Sequence, residues 1–103
     1  MKNKKWETVG TIGVDAGLCW IGDPCYIIHP DKRPKDLGKT WGEFVDKLSD
    51  CSNSRQFNYD AGHPGLGVTV DTGYGDGEYP VEVRRSKDGL IAEVRVVFIN
   101  EKE

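Results

Sequence analysis

Five carboxylates, Asp15, Asp23, Asp71, Asp76 and Glu78, fall where the sequence interrupts its strand-like runs. Gathered at one end of a sheet, such groups would hold a hard cation or exchange protons with a substrate. Their spacing does not match a calcium loop, which needs oxygen ligands at alternating positions, because Asp71 is followed at those positions by Gly73 and Gly75. Turn aspartates also have a structural use, accepting hydrogen bonds from nearby backbone N–H groups. No metal-ligand set is assigned on this pattern.

The soft-ligand candidates are Cys19, Cys25, His29, Cys51 and His63, and their intervals match none of the compact zinc-binding pairs. Cys25 with His29 or His63 and an aspartate would make a nucleophilic site. Against this, a cysteine inside an apolar run serves more commonly as a small core residue. An odd count of three cysteines fits free thiols in a reducing compartment. No catalytic residue and no cofactor is assigned.

Gly73-Tyr74-Gly75-Asp76-Gly77 has glycines spaced closely enough to bring backbone N–H groups up to an anion. It leads into Tyr79-Pro80-Val81, a strand pattern, where a phosphate loop leads into a helix, and Asp76 would repel phosphate. The reading is a tight connection that needs positive φ. What remains is a mixture of aromatics and turn carboxylates suited to a planar polar ligand. Trp20, Tyr26, Tyr74 and Tyr79 would stack, Asp23 and Asp76 would accept hydrogen bonds, and Arg84, or Arg85 in its place, would offset phosphate charge.

The elements that must position these residues are mostly strands. Trp6 to Val14 has the two-residue period of a strand, and Asp15-Ala16-Gly17 supplies turn chemistry before Leu18-Cys19-Trp20-Ile21, which together predict a β-hairpin. Gly22-Asp23-Pro24 interrupts the second strand and Cys25-Tyr26-Ile27-Ile28 resumes an extended run. The polar stretch from His29 to Lys39 reads as an exposed connection.

Thr40-Trp41-Gly42-Glu43 matches a capping box, and Trp41, Phe44, Val45 and Leu48 follow at helical spacing, so a short amphipathic helix is expected to lie on a sheet. Cys51 to Gly65 shows no period and is expected to be a long loop. Leu66 to Thr72 alternates as a third strand region. Tyr79 to Val83, the turn Ser86-Lys87-Asp88-Gly89 and Leu90 to Phe98 predict a closing hairpin. The fold class is α+β, mainly an antiparallel sheet, open or barrel-like, with one short helix packed on it.

At 103 residues the chain is expected to form one domain, 1–103. A net charge of -3 argues against general DNA or RNA binding. Trp6-Glu7-Thr8-Val9-Gly10 stands where a signal peptide would need an apolar run, and no stretch reaches the roughly 20 apolar residues of a membrane span. A cytoplasmic protein is expected.

The segments Val14-Asp15-Ala16-Gly17 through Ile21-Gly22-Asp23-Pro24-Cys25-Tyr26 and Gly73-Tyr74-Gly75-Asp76-Gly77-Glu78-Tyr79-Pro80-Val81 resemble a family of short uncharacterised proteins of phages and prophages of Gram-positive bacteria. The resemblance covers under half of the chain and brings no assigned activity. It implies a phage-type accessory protein, in the host cytoplasm, that acts by binding. The expected partner is a small polar or nucleotide-like ligand, such as a host-defence signal sequestered at the interfaces of a homo-oligomer. The alternatives are an inhibitor of a host enzyme and a metal-dependent hydrolase.

Overall fold

Among the described residues the chain forms six strands, every pair antiparallel, arranged as two three-stranded sheets. The computed structural model describes residues 5–28, 34–48 and 53–101. Within it the chain divides into two compact units, one built from both ends, Met1–Gly17 with Thr72–Glu103, and the other from Leu18–Asp71. Among the described residues no helix is long and apolar enough to cross a membrane.

In the first unit β1 (Glu7–Val14) pairs with β5 (Gly77–Arg85), which pairs in turn with β6 (Ile91–Val96). The expected hairpin between the first two strands does not form. Asp15-Ala16-Gly17 is a bend, and the Gly17 carbonyl accepts the Thr72 N–H at 3.1 Å. Turn chemistry was present there, but the partner of β1 comes from the far end of the chain. The closing hairpin is as expected: the Ser86 N–H donates to the Leu90 carbonyl at 2.7 Å across its turn. Its second strand ends at Val96, earlier than the alternation implied.

One face of this sheet is charged. Arg84 sits opposite Glu93 and ion-pairs with it, Arg95 sits opposite Glu82 with Nε 2.8 Å from its carboxylate, and the Arg95 guanidinium lies 4.1 Å from the Trp6 ring centroid. The other face carries Val83 opposite Val94 and Val81 opposite Val96. Phe98, beyond β6, packs edge-on against Tyr79 with ring centroids 5.3 Å apart.

In the second unit β2 (Leu18–Gly22) and β3 (Ser54–Asn58) flank β4 (Pro64–Asp71). The core is Phe57 and Leu66, at 0% and 1% exposure, with Leu37 and the half-buried Trp20, Phe44, Leu48 and Tyr59 around them. Trp20 and Phe57 lie 5.6 Å apart, and Phe44 stacks on Phe57 at 5.0 Å. Trp20 lies over Gly67, where an added Cβ would come within 2.2 Å of the indole. Glycine is what lets the largest side chain lie flat on β4.

Three expectations change here. Cys25–Ile28 is a short helix, α1, not a strand: the Asp23 carboxylate accepts the Cys25 N–H at 2.9 Å and Pro24 supplies a helical first turn. The long loop expected from Cys51 to Gly65 contains β3, whose polar residues become a strand by pairing with β4; Cys51 itself lies outside the described residues. The connection before the helix holds a 3-10 turn, Lys35–Leu37, that buries Leu37, while His29 is also outside the described residues.

The helix starts at Thr40 as expected, but only half of the capping box forms as the motif implies, because Glu43 reaches back one residue past the N-cap. The Thr40 hydroxyl accepts the Glu43 N–H at 3.1 Å, and the Glu43 carboxylate accepts the Lys39 N–H at 2.7 Å, starting α2 (Trp41–Asp46). Its apolar stripe is narrower than the spacing implied: Phe44 and Leu48 reach the core, whereas Trp41 and Val45 are exposed.

Candidate functional site

The seven residues expected to hold a ligand divide between the units. Trp20, Asp23 and Tyr26 belong to Leu18–Asp71, and Tyr74, Asp76, Tyr79 and Arg84 to the unit made from the chain ends.

In the inner unit Trp20 is part of the aromatic core, its Nε1 buried without a hydrogen-bond partner. Asp23 is exposed and spends its carboxylate on capping α1. Tyr26 stands edge-on to Tyr59, ring centroids 5.4 Å apart. Its hydrogen bond to Tyr59 favours the neutral phenol and holds its pKa above the ordinary value, helped by the nearby negative charge of Asp23.

The turn that carries β4 into β5 places Tyr74 and Asp76, and β5 places Tyr79 and Arg84. Gly73, Gly75 and Gly77 all take positive φ, as the sequence reading required, at 69°, 109° and 154°. The turn closes on one carbonyl: Gly75 accepts both the Thr72 hydroxyl and the Tyr79 hydroxyl, each at 2.7 Å. Thr72 is fully buried and Tyr79 nearly so. This hydrogen-bonded frame leaves Tyr74 at the tip with 85% of its surface exposed, and Asp76 exposed two residues on. Tyr74 and Tyr79 thus have opposite roles, display and support. Arg84 is occupied by Glu93 on the charged sheet face.

The sequence did not single out the polar cluster centred on Asp36. Its carboxylate accepts the Asn58 N–H at 2.7 Å and pairs with Arg55 at 3.4 Å and Lys47 at 3.7 Å. Arg55 also lies over the Phe57 ring, 4.9 Å from its centroid. Beside it a cavity of about 50 Å³ is lined by Leu18, Leu48, Asn53, Arg55, Thr69 and Asp71. Thr69 Oγ1 and Arg55 Nε are buried without partners there. A space of this size takes a few waters, each needing at least about 10–15 Å³, and is far below the ~300–1,000 Å³ of a nucleotide-sized pocket.

Among the described residues no three His, Cys, Asp or Glu side chains gather within reach of one ion. Cys19 is buried, which pushes its thiol pKa up, and Cys25 is exposed; both are free. Comparison with protein-family models, curated proteins and solved structures finds no match.

Proposed function

We propose that this chain is a phage-type accessory protein that works by binding a small polar or nucleotide-like ligand, with the Thr72–Gly77 turn as its recognition element. The observation that carries this reading is the contrast within the turn. An 85% exposed Tyr74 is displayed on a backbone fixed by two hydrogen bonds to Gly75. An apolar ring held in water on a preorganised frame costs little entropy to engage, and its face suits a planar ring. Asp76 beside it offers a carboxylate to amino or hydroxyl groups.

The test is a thermal-shift panel of nucleotides, cyclic nucleotides and ADP-ribose derivatives, with and without magnesium, on wild type and Tyr74→Ala. A ligand at 100 times its dissociation constant stabilises by about 2.7 kcal/mol, a shift of several degrees in a domain of this size. The expected result is a shift for the wild type that Tyr74→Ala abolishes while melting normally alone. A panel without any shift overturns the small-ligand reading and leaves a host protein as the partner.

A further inference from the structure

β6 is an edge strand whose residues from Ile91 to Arg95 are all exposed, and Leu90 in the turn before it is exposed as well. Edge strands carry unpaired N–H and C=O groups, and proteins ordinarily blunt them with bulges, glycine or unmatched charge. The opposite edge, β1, is blunted in this way, with Gly10 and Gly13 and a register shift between Thr8 and Gly10. β6 has a register shift too, with Ala92 unmatched between the Arg84–Glu93 and Arg85–Ile91 pairs, but from Glu93 on its pairing is regular, and there it carries Val94, 60% exposed, between one acidic and one basic residue, Glu93 and Arg95.

That order is self-complementary. In an antiparallel pair of two β6 strands with Val94 opposite Val94, Glu93 of each copy faces Arg95 of the other. The existing pairs extend this pattern inward, since Arg84 is opposite Glu93 and Glu82 is opposite Arg95. The row across the junction would then read Arg84, Glu93, then Arg95 and Glu82 of the second copy, with signs alternating throughout. On the other face Val83 and Val94 would meet Val94 and Val83 of the second copy. A shift of one residue would destroy both matches, because it moves each side chain to the opposite face.

We infer that β6 is the docking surface for a second copy of this chain, joining the two sheets into a six-stranded one about a two-fold axis through Val94. The contact is isologous and closes at two copies, whereas pairing β6 with β1 would propagate without end. This inference is independent of the ligand reading, which concerns the turn before β5.

Sedimentation equilibrium on the full chain tests it. The wild type is expected to pass from 11.5 kDa to twice that mass as concentration rises. Val94→Asp and Val94→Lys each place like charges opposite one another on the axis and should stay monomeric, while an equimolar mixture of the two should form the heterodimer. A second, mutation-free measurement is amide hydrogen exchange, where protection at 93–95 should increase with protein concentration and protection in β1 should not. A wild type monomeric at all concentrations overturns the proposal. So does dimerisation of either variant alone, a mixture that stays monomeric, or protection at 93–95 that is independent of concentration.

Discussion

The Tyr79 hydroxyl donates to the Gly75 carbonyl at 2.7 Å, sharing that oxygen with the Thr72 hydroxyl, so one lone pair is occupied from within the turn and the other from β5. Tyr79 is nearly buried and its ring is held by Phe98, so the bond has a fixed geometry. Tyr79→Phe keeps the packing and removes only the donor. It should cost about 1 kcal/mol, read as a melting temperature lower by roughly 4–8 °C. An unchanged melting temperature would mean that the turn is not braced by this contact.

Gly67→Ala should be more damaging than its size implies. A Cβ there would sit 2.2 Å from the Trp20 indole, so the ring or the strand must move. Overpacking of this kind costs about 1–3 kcal/mol. Urea denaturation followed by tryptophan fluorescence reads the loss of stability, and the double variant Gly67→Ala/Trp20→Phe should recover part of it by freeing space.

Asp36 ties the 3-10 turn to β3, through the Asn58 N–H and Arg55, and to the end of α2, through Lys47. Asp36→Ala leaves a half-buried N–H and guanidinium without that acceptor and should destabilise by about 1–3 kcal/mol. Asp36→Asn retains a neutral acceptor and should lose less. Because these groups remain partly exposed, the charge contribution itself is small, and raising salt should narrow the gap between the wild type and Asp36→Asn only slightly.

Stability should fall on the alkaline side. Burial holds the Cys19 thiol above its ordinary value of 9.0, so above that pH the unfolded chain releases a proton that the folded chain retains. Folding stability is then full below pH 9.0 and declines as pH rises toward the folded-state value, with Tyr26 adding to the decline above its ordinary 10.0. Denaturation midpoints measured at increasing pH check the sign, and Cys19→Ala should flatten the part of the curve that begins at pH 9.0. In the native protein Cys25 should alkylate before Cys19.

Local signals carried much of this structure. The two-residue periods of β1, β4 and β5, the turn at Ser86, the helix N-cap at Thr40 and the positive φ of the Gly73 to Gly77 run were all legible, because each depends on neighbours within a few residues. Pairing was less so. The Asp15-Ala16-Gly17 segment has good hairpin chemistry, yet β1 finds its partner in β5, and nothing local distinguishes the two outcomes. Asp23-Pro24 is both a strand breaker and a helix start, and the capping bond to Cys25 decides between them.

β3 was hidden because Phe57 is the one apolar residue in Ser54–Asn58, so its conformation comes from β4 and not from its own period. At the candidate site, Tyr74 and Tyr79 looked alike as residue types. Their separation into an exposed tip and a buried brace depends on the phase of β5, which places Tyr79 beside Ile12 and under Phe98. Asp36 gave no signal because Arg55 and Asn58 lie 19 and 22 residues away.

The nested path of the chain also sets an order of assembly. β1 pairs with β5 across a gap as long as that between Glu7 and Val83, while the whole of Leu18–Asp71 lies inside that gap and makes its contacts over shorter separations. Closing a loop costs entropy that grows with the length of free chain between its ends. Once the inner segment has folded, with Leu18 opposite Asp71, most of that free length has been removed and the outer strands meet at much lower cost. Mutations in the inner sheet, such as Gly67→Ala, should therefore slow the pairing of β1 with β5, although they touch neither strand.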